Sequence, residues 1–425
     1  MTAQGLLVGL IDIALTLCVL GMAAIGASLL VLVVRFLYDQ ARGAGDGSRD
    51  VAPLAEADLP HVVLQIPVFN EPRVVIGALR AAAALDWPRE KLHLQLLDDS
   101  TDETTERAAE LIAELRAEGH DVRHVRREDR TGFKAGACAA GLALDDSPFV
   151  AMLDVDFRPP ADWLRKAIPV IVGDPKAGFV QARCEFANYR KNWLTRVQGL
   201  ILDGHFMIEQ RTRANLGWLF QFNGTGGIWR RAAIDSVGGW QDYSLTEDLD
   251  LTIRTALAGW HGRFISEPAS PGQMPEGMRD WRRQQRRWSN GFIQVAQRTL
   301  GPIWTAPWSL AERLSSIMLV LHQVFFPLCA GAIILIILGI LARGISIAAY
   351  LPLFGLIFLM VCAVVIGMTL PPSLALKRGS FWRYLATMAM LPPLFIYLAV
   401  ANAPKIIQTA RGRQEHFKRT PKKEH

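Results

Sequence analysis

Phe149-Val150-Ala151-Met152-Leu153-Asp154-Val155-Asp156 is the stretch that decides the fold. Five consecutive apolar residues are too few for a helix and read as a strand buried on both faces, as in a parallel sheet. Two carboxylates close it. In extended backbone, residues two apart point the same way, so Asp154 and Asp156 face one another's ligand. That arrangement suits a divalent cation that also holds phosphate oxygens, although pairs of this kind are common on surfaces.

Working outward, short apolar runs at 62–66 and 92–97 alternate with helical patterns at 103–118 and 133–144. This βαβ rhythm predicts an α/β fold with a mostly parallel sheet and helices on both faces. Ligands of such sheets bind at the carboxyl ends of the strands, so the chemistry belongs just after each run. After the first comes Ile66-Pro67-Val68-Phe69-Asn70-Glu71, and after the second Leu97-Asp98-Asp99-Ser100-Thr101-Asp102. Asp98 and Asp99 read either as acceptors for a base or ribose or as caps of the next helix.

Four further motifs carry candidate chemistry. Lys134 opens a helical pattern in Gly132-Phe133-Lys134-Ala135-Gly136, where a cation assists bound phosphate or is simply solvated. Phe222-Asn223-Gly224-Thr225-Gly226-Gly227 has the glycines for close backbone approach to a ligand. In Thr246-Glu247-Asp248, Thr246 reads as an N-cap, and one carboxylate reads as a general base. Gln284-Gln285-Arg286-Arg287-Trp288 reads as part of an interfacial amphipathic helix, as a guanidinium for diphosphate beside an indole for a sugar ring, or as both.

The composition sets these motifs beside a membrane. Of 425 residues, 51% are hydrophobic and 20% charged, with mean hydropathy +0.19, which excludes a disordered chain and argues against a wholly soluble one. Residues 6–34 contain only Asp12 as a charge, enough apolar length to cross a bilayer, and Arg35 and Arg42 place their end in the cytoplasm. Apolar stretches at 314–341, 345–370 and 384–403 follow, the last interrupted by Pro392-Pro393. Three spans would return the tail to the outside, against its net charge of +5 from Lys405 onward. Either 314–341 is two elements broken near Pro327, or the Pro-Pro stretch re-enters or lies along the interface. The net charge of +6 sits mainly in that tail and in 279–287, which fits diphosphate and anionic headgroups. No basic face interleaved with aromatics exists, so nucleic acid is not an expected partner. Five cysteines without CxxC spacing exclude a disulfide or zinc framework.

Taken in order, the strand-end Asp99, Asp154-Val155-Asp156, Thr246-Glu247-Asp248 and Gln284 with Arg287-Trp288 resemble a family 2 membrane glycosyltransferase of the cellulose synthase superfamily. The likeness is greatest to its glucomannan- and cellulose-synthase-like branch. It implies a GT-A domain at 60–278, preceded by a transmembrane helix (1–41) and linker (42–59). An interfacial region (279–312), a transmembrane region (313–404) and a basic tail (405–425) follow.

The resemblance implies inverting transfer of a hexose from UDP-glucose or GDP-mannose to a β-linked glycan, processively and with export. The alternative is addition of one sugar to a lipid acceptor. Pro67, Phe69, Glu71, Asp99, Lys134 and Asp154 would bind the nucleotide, and Asp154 with Asp156 would ligate Mg²⁺ or Mn²⁺. Asp248 would be the base beside Glu247, while Gln284, Arg287 and Trp288 would meet diphosphate and acceptor. Membrane lipids are expected neighbours and accessory export subunits are compatible partners. The implied location is a bacterial inner membrane with the catalytic domain in the cytoplasm.

Overall fold

The computed structural model describes residues 3–46, 51–343 and 351–412. The chain separates into two units. One gathers Asp39–Gly199 with Gln210–Gln284, and the other gathers residues 3–38, Leu200–Glu209 and the described residues of 285–412.

The first unit is built on seven strands: β1 Val62–Val68, β2 Leu92–Asp98, β3 Asp121–Arg126, β4 Phe149–Met152, β5 Ala177–Phe186, β6 Gly227–Arg230 and β7 His261–Gly272. Their order in the sheet is β3-β2-β1-β4-β6-β5-β7. Pairings from β3 through β4 are parallel, β6 runs antiparallel to both neighbours, and β5 pairs with β7 in parallel. The central strands are apolar on both faces because helices cover each side: Val62, Val63, Leu64 and Ile66 of β1 and Val150, Ala151 and Met152 of β4 are fully enclosed. The chain leaves β1 toward β2 and β3, then returns to its other side as β4. That reversal opens a crevice at the carboxyl ends of β1 and β4, where ligands of open α/β sheets bind.

Two buried glutamines fix the helix that brings Lys134 to this crevice. Gln65 donates to Gln95 at 3.0 Å and to the Cys138 carbonyl at 3.3 Å, and Gln95 donates to the Gly141 carbonyl at 3.0 Å. These bonds give both amide nitrogens partners inside the core and pin the Phe133–Leu142 helix against β1 and β2.

Among the described residues of the second unit, four segments are long and apolar enough to cross a membrane: Ala3–Ala41, Leu310–Ala342, Phe358–Ala375 and Phe381–Ala410. Each of the four apolar stretches in the sequence supplies one. The 314–341 stretch is indeed interrupted, by a 3-10 turn at His322–Val324 between the helices Leu310–Leu321 and Phe325–Arg343. Pro392 and Pro393 do not break a helix. They begin Leu391–Ala410, at the first turn, where a missing N–H costs nothing, and the short Phe381–Met388 helix precedes them. Leu15, Val19, Met22 and Ala332 form one contact cluster of this unit, and Val33, Phe36 and Ile208 another. Arg378 grips the buried Asp203 through two 2.7 Å bonds. The basic tail beyond Gly412, with the question of its side, lies outside the described residues.

Candidate active site

Three loops at the carboxyl ends of β1, β2 and β4, with the loop entering β6, build the site. Asn70 joins the first two: at φ 55 it stands in the left-handed region that Asn tolerates better than most residues. Its side-chain oxygen accepts from the Thr101 N–H at 2.8 Å, and its own N–H donates to Ser100 Oγ at 2.9 Å. Pro67 and Phe69 flank this junction half-buried, while Glu71 is buried at 7% exposure.

Asp98 and Asp99 do not cap the following helix. Thr104–Ala117 begins six residues after Asp98, and Asp102 accepts the Thr104 N–H there. Asp98 instead turns inward, accepting from the Ser100 N–H at 2.8 Å and the Thr105 hydroxyl at 2.9 Å and pairing with His124 at 2.8 Å. Burial opposes its charge, but these bonds outweigh burial and hold its carboxyl at about 2. The Asp99 side chain, 6% exposed, is held by a guanidinium. Arg127 holds both its oxygens, at 2.9 and 2.5 Å, and Arg130 lies over the Phe69 ring at 3.3 Å.

Lys134 is not solvated at random. Its ammonium donates to Asp154 Oδ1 at 2.7 Å and to the Gly224 carbonyl at 2.8 Å. Burial disfavours its charge, yet the nearby Asp154 and Glu247 carboxylates prevail and raise its pKa above the usual lysine value. Gly224 has φ +74, and a Cβ there would sit 2.7 Å from Asp248 Oδ2 and 3.3 Å from the Lys134 ammonium. The Asp248 carboxylate therefore stands beside Lys134, with its other oxygen accepting the Leu249 N–H at 2.8 Å. Thr246 does precede the Glu247–Leu257 helix as expected, but its side chain does not cap it. Its hydroxyl lies 3.1 Å from that of Ser244.

Asp156 is 3% exposed, and its Oδ2 accepts the Gln273 N–H at 3.2 Å. Among the described residues no group of three or more His, Cys, Asp or Glu converges as a metal cage, and the two carboxylates of Asp154 and Asp156 stand two residues apart just after β4. Hard oxygen donors in that number fit Mg²⁺ or Mn²⁺ when phosphate oxygens complete the shell. Burial pushes the Cys138 thiol up to about 12 and raises Cys184 as well, so neither cysteine next to the site is a nucleophile at neutral pH.

Gln284, Arg287 and Trp288 lie half-buried along Met278–Thr305, spaced to share one helix face. Gln284 ends the sheet-bearing unit, and Arg287 and Trp288 belong to the other.

Three contributors have no role in the sequence motifs. Arg127 and Asn70, the latter present only as part of the 66–71 stretch, are two. The third is Gln181 in mid-strand β5, whose amide donates to the Thr225 carbonyl at 2.9 Å and whose oxygen accepts the Asn223 N–H at 2.9 Å. It dictates the shape of the Asn223–Gly226 loop, whose Thr225 hydroxyl in turn accepts the Asp154 N–H at 2.9 Å. A glutamine inside the apolar run Ala177–Phe186 was the available signal.

Comparison with known proteins agrees with this architecture. The model of the family described as "Glycosyl transferase family group 2" matches residues 149–370, more than half of the chain, beginning at β4. A probable glucomannan 4-beta-mannosyltransferase 4 of Oryza sativa subsp. japonica is 37% identical over 260 residues, covering 60% of this chain and 47% of that protein. Glucomannan 4-beta-mannosyltransferase 2 of Arabidopsis thaliana is 39% identical over 246 residues, covering 57% and 46%. The chain thus spans about half the length of these relatives. Among solved structures, the mannosyltransferase PcManGT from Pyrobaculum calidifontis, in complex with GDP-Man and Mn²⁺, superposes with a TM-score of 0.58 at 19% identity. The match covers 91% of this chain and 99% of that one, a likeness of fold. With a GT-A-type sheet and this family match, the chain belongs to glycosyl transferase family group 2.

Proposed function

We propose that this chain transfers a hexose from a nucleotide sugar to a glycan acceptor with inversion at the anomeric carbon, extending a β-linked chain at a membrane. The observation that carries this reading is the convergence of Lys134, Asp154 and Asp248 around Gly224 at the switch point of the sheet. A cation for phosphate beside a carboxylate able to take a proton suits a single displacement.

In this reading Asp99 accepts a base N–H and Phe69 underlies the base, with Pro67 and Glu71 lining the pocket. Asp154 and Asp156 hold Mg²⁺ or Mn²⁺, which when bound would neutralise the diphosphate. Lys134 adds a positive charge at the same end. Asp248 takes the proton of the acceptor hydroxyl as its oxygen bonds to the anomeric carbon, while the electron pair of the breaking C–O bond leaves with the diphosphate. Gln284, Arg287 and Trp288 serve diphosphate and acceptor, with Trp288 stacking on a sugar ring.

The names of the relatives at 37–39% identity make GDP-mannose the first donor to test and UDP-glucose the second. The experiment is release of GDP or UDP by the purified chain in detergent, followed by sizing of the product. Absence of release from any nucleotide sugar overturns the enzyme reading. Products confined to one sugar on a lipid replace the polymer reading with lipid glycosylation.

A further inference from the structure

Arg127, the first residue after β3, makes a four-bond fork. Its Nε and Nη2 donate to the two oxygens of Asp99 at 2.9 and 2.5 Å. Its Nη1 donates to the Thr131 carbonyl at 2.8 Å, and Nη2 donates again to the Phe133 carbonyl at 3.0 Å. Those carbonyls belong to the turn that starts the helix bearing Lys134. Both charged partners are largely enclosed, the Arg127 side chain at 15% exposure and Asp99 at 6%. Gly136 leaves room for the fork, since a Cβ there would come 2.5 Å from Arg127 Nη1 and collide with the Thr131 carbonyl.

A planar guanidinium can join a carboxylate and two carbonyls at once because its N–H groups radiate in a rigid fork, which an ammonium does not offer. The bonds from Arg127 occupy both Asp99 oxygens along one edge, Arg130 Nε lies 3.8 Å from Oδ2, and a ligand N–H must meet the lone pairs that these leave. Arg127 therefore determines which edge of Asp99 is presented and where the chain turns toward Lys134.

We propose that Arg127 is the positioning residue that couples the two ends of the donor pocket, setting nucleobase discrimination through Asp99 and phosphate placement through the Thr131–Phe133 turn. This rests on the reading of Asp99 as the base-binding carboxylate. Bases are then ranked by how well a ring N–H meets the lone pairs of Asp99 that the fork leaves, and loosening the fork lets Asp99 rotate to accept others.

The test measures binding of UDP, GDP and ADP to the full chain in detergent, with Mn²⁺ present, for the wild type and for Arg127→Ala, Arg127→Lys and Asp99→Asn. Arg127→Ala is expected to weaken the preferred nucleotide at least tenfold and to bring the three within about threefold of one another. Arg127→Lys is expected to fold and yet show the same flattened ranking, because it restores charge without the fork. It carries the test alone if Arg127→Ala does not fold. The double variant Arg127→Lys with Asp99→Asn should be no worse than Asp99→Asn, as expected for residues acting through one another. Wild-type ranking in Arg127→Lys alongside a lost ranking in Asp99→Asn overturns the proposal. Wild-type ranking in Asp99→Asn overturns the base-binding reading itself, and the proposal with it.

Discussion

Lys134 and Asp154 form a 2.7 Å ion pair that ties the start of a helix to the end of β4, and the same ammonium reaches the Gly224 carbonyl at 2.8 Å. Three segments distant in sequence thus share one cation. Burial disfavours its charge, and the Asp154 and Glu247 carboxylates outweigh that burial, so the cation stays charged for a bound diphosphate.

Lys134→Ala should lower turnover by about 100–1,000-fold, the usual effect of removing one preorganised electrostatic group. Rapid-quench measurement of nucleotide release is the check, and a change under threefold would exclude Lys134 from the reacting region.

Gly224→Ala places a methyl 2.7 Å from Asp248 Oδ2 at a backbone angle of φ +74. The conformational cost is about 1–3 kcal/mol. Displacing the Asp248 carboxylate should reduce turnover about 100-fold, because small misplacements of a reacting group are expensive. Donor affinity from calorimetry should change much less than turnover.

Asp248→Asn should abolish turnover while leaving donor binding largely in place, and Glu247→Gln should retain substantial activity. Equal losses in both variants would show that the two carboxylates work as a pair, and an active Asp248→Asn would remove it as base.

A chelator should stop nucleotide release and Mn²⁺ or Mg²⁺ should restore it in the wild type. Asp156→Ala should not recover at the same metal concentration. Direct Mn²⁺ binding, followed by electron paramagnetic resonance, should weaken in that variant.

The Asp98 carboxyl, held at about 2, lies below its unfolded value near 4, so its stabilisation is complete above pH 4 and disappears as pH falls toward 2. The shift corresponds to about 2 kcal/mol. Asp98→Asn should therefore be less stable than the wild type at pH 6, and the gap should close by pH 2 to 3. Thermal unfolding at each pH measures it, and a constant gap would contradict the assignment.

The sequence by itself determined the alternation of strand and helix, the membrane-length apolar segments and the strand ends carrying carboxylates. Each of these is a local pattern: period, run length and the residue after the run. Asp99, Asp154 and Asp156 stand out as candidates for that reason, and Asp248 by its place at a helix start. What those carboxylates do to one another was decided only by the tertiary structure. The pairing of Asp98 with His124, the grip of Arg127 on Asp99, the placement of Lys134 against Gly224 and the support of the β6 entry loop by Gln181 join residues 26 to 90 positions apart. Such bonds depend on which strand lies next to which and on what burial demands of each polar group. The Thr246 hydroxyl shows the same limit: a residue well suited to cap its helix turned to Ser244 instead, because a neighbouring side chain offered it another partner.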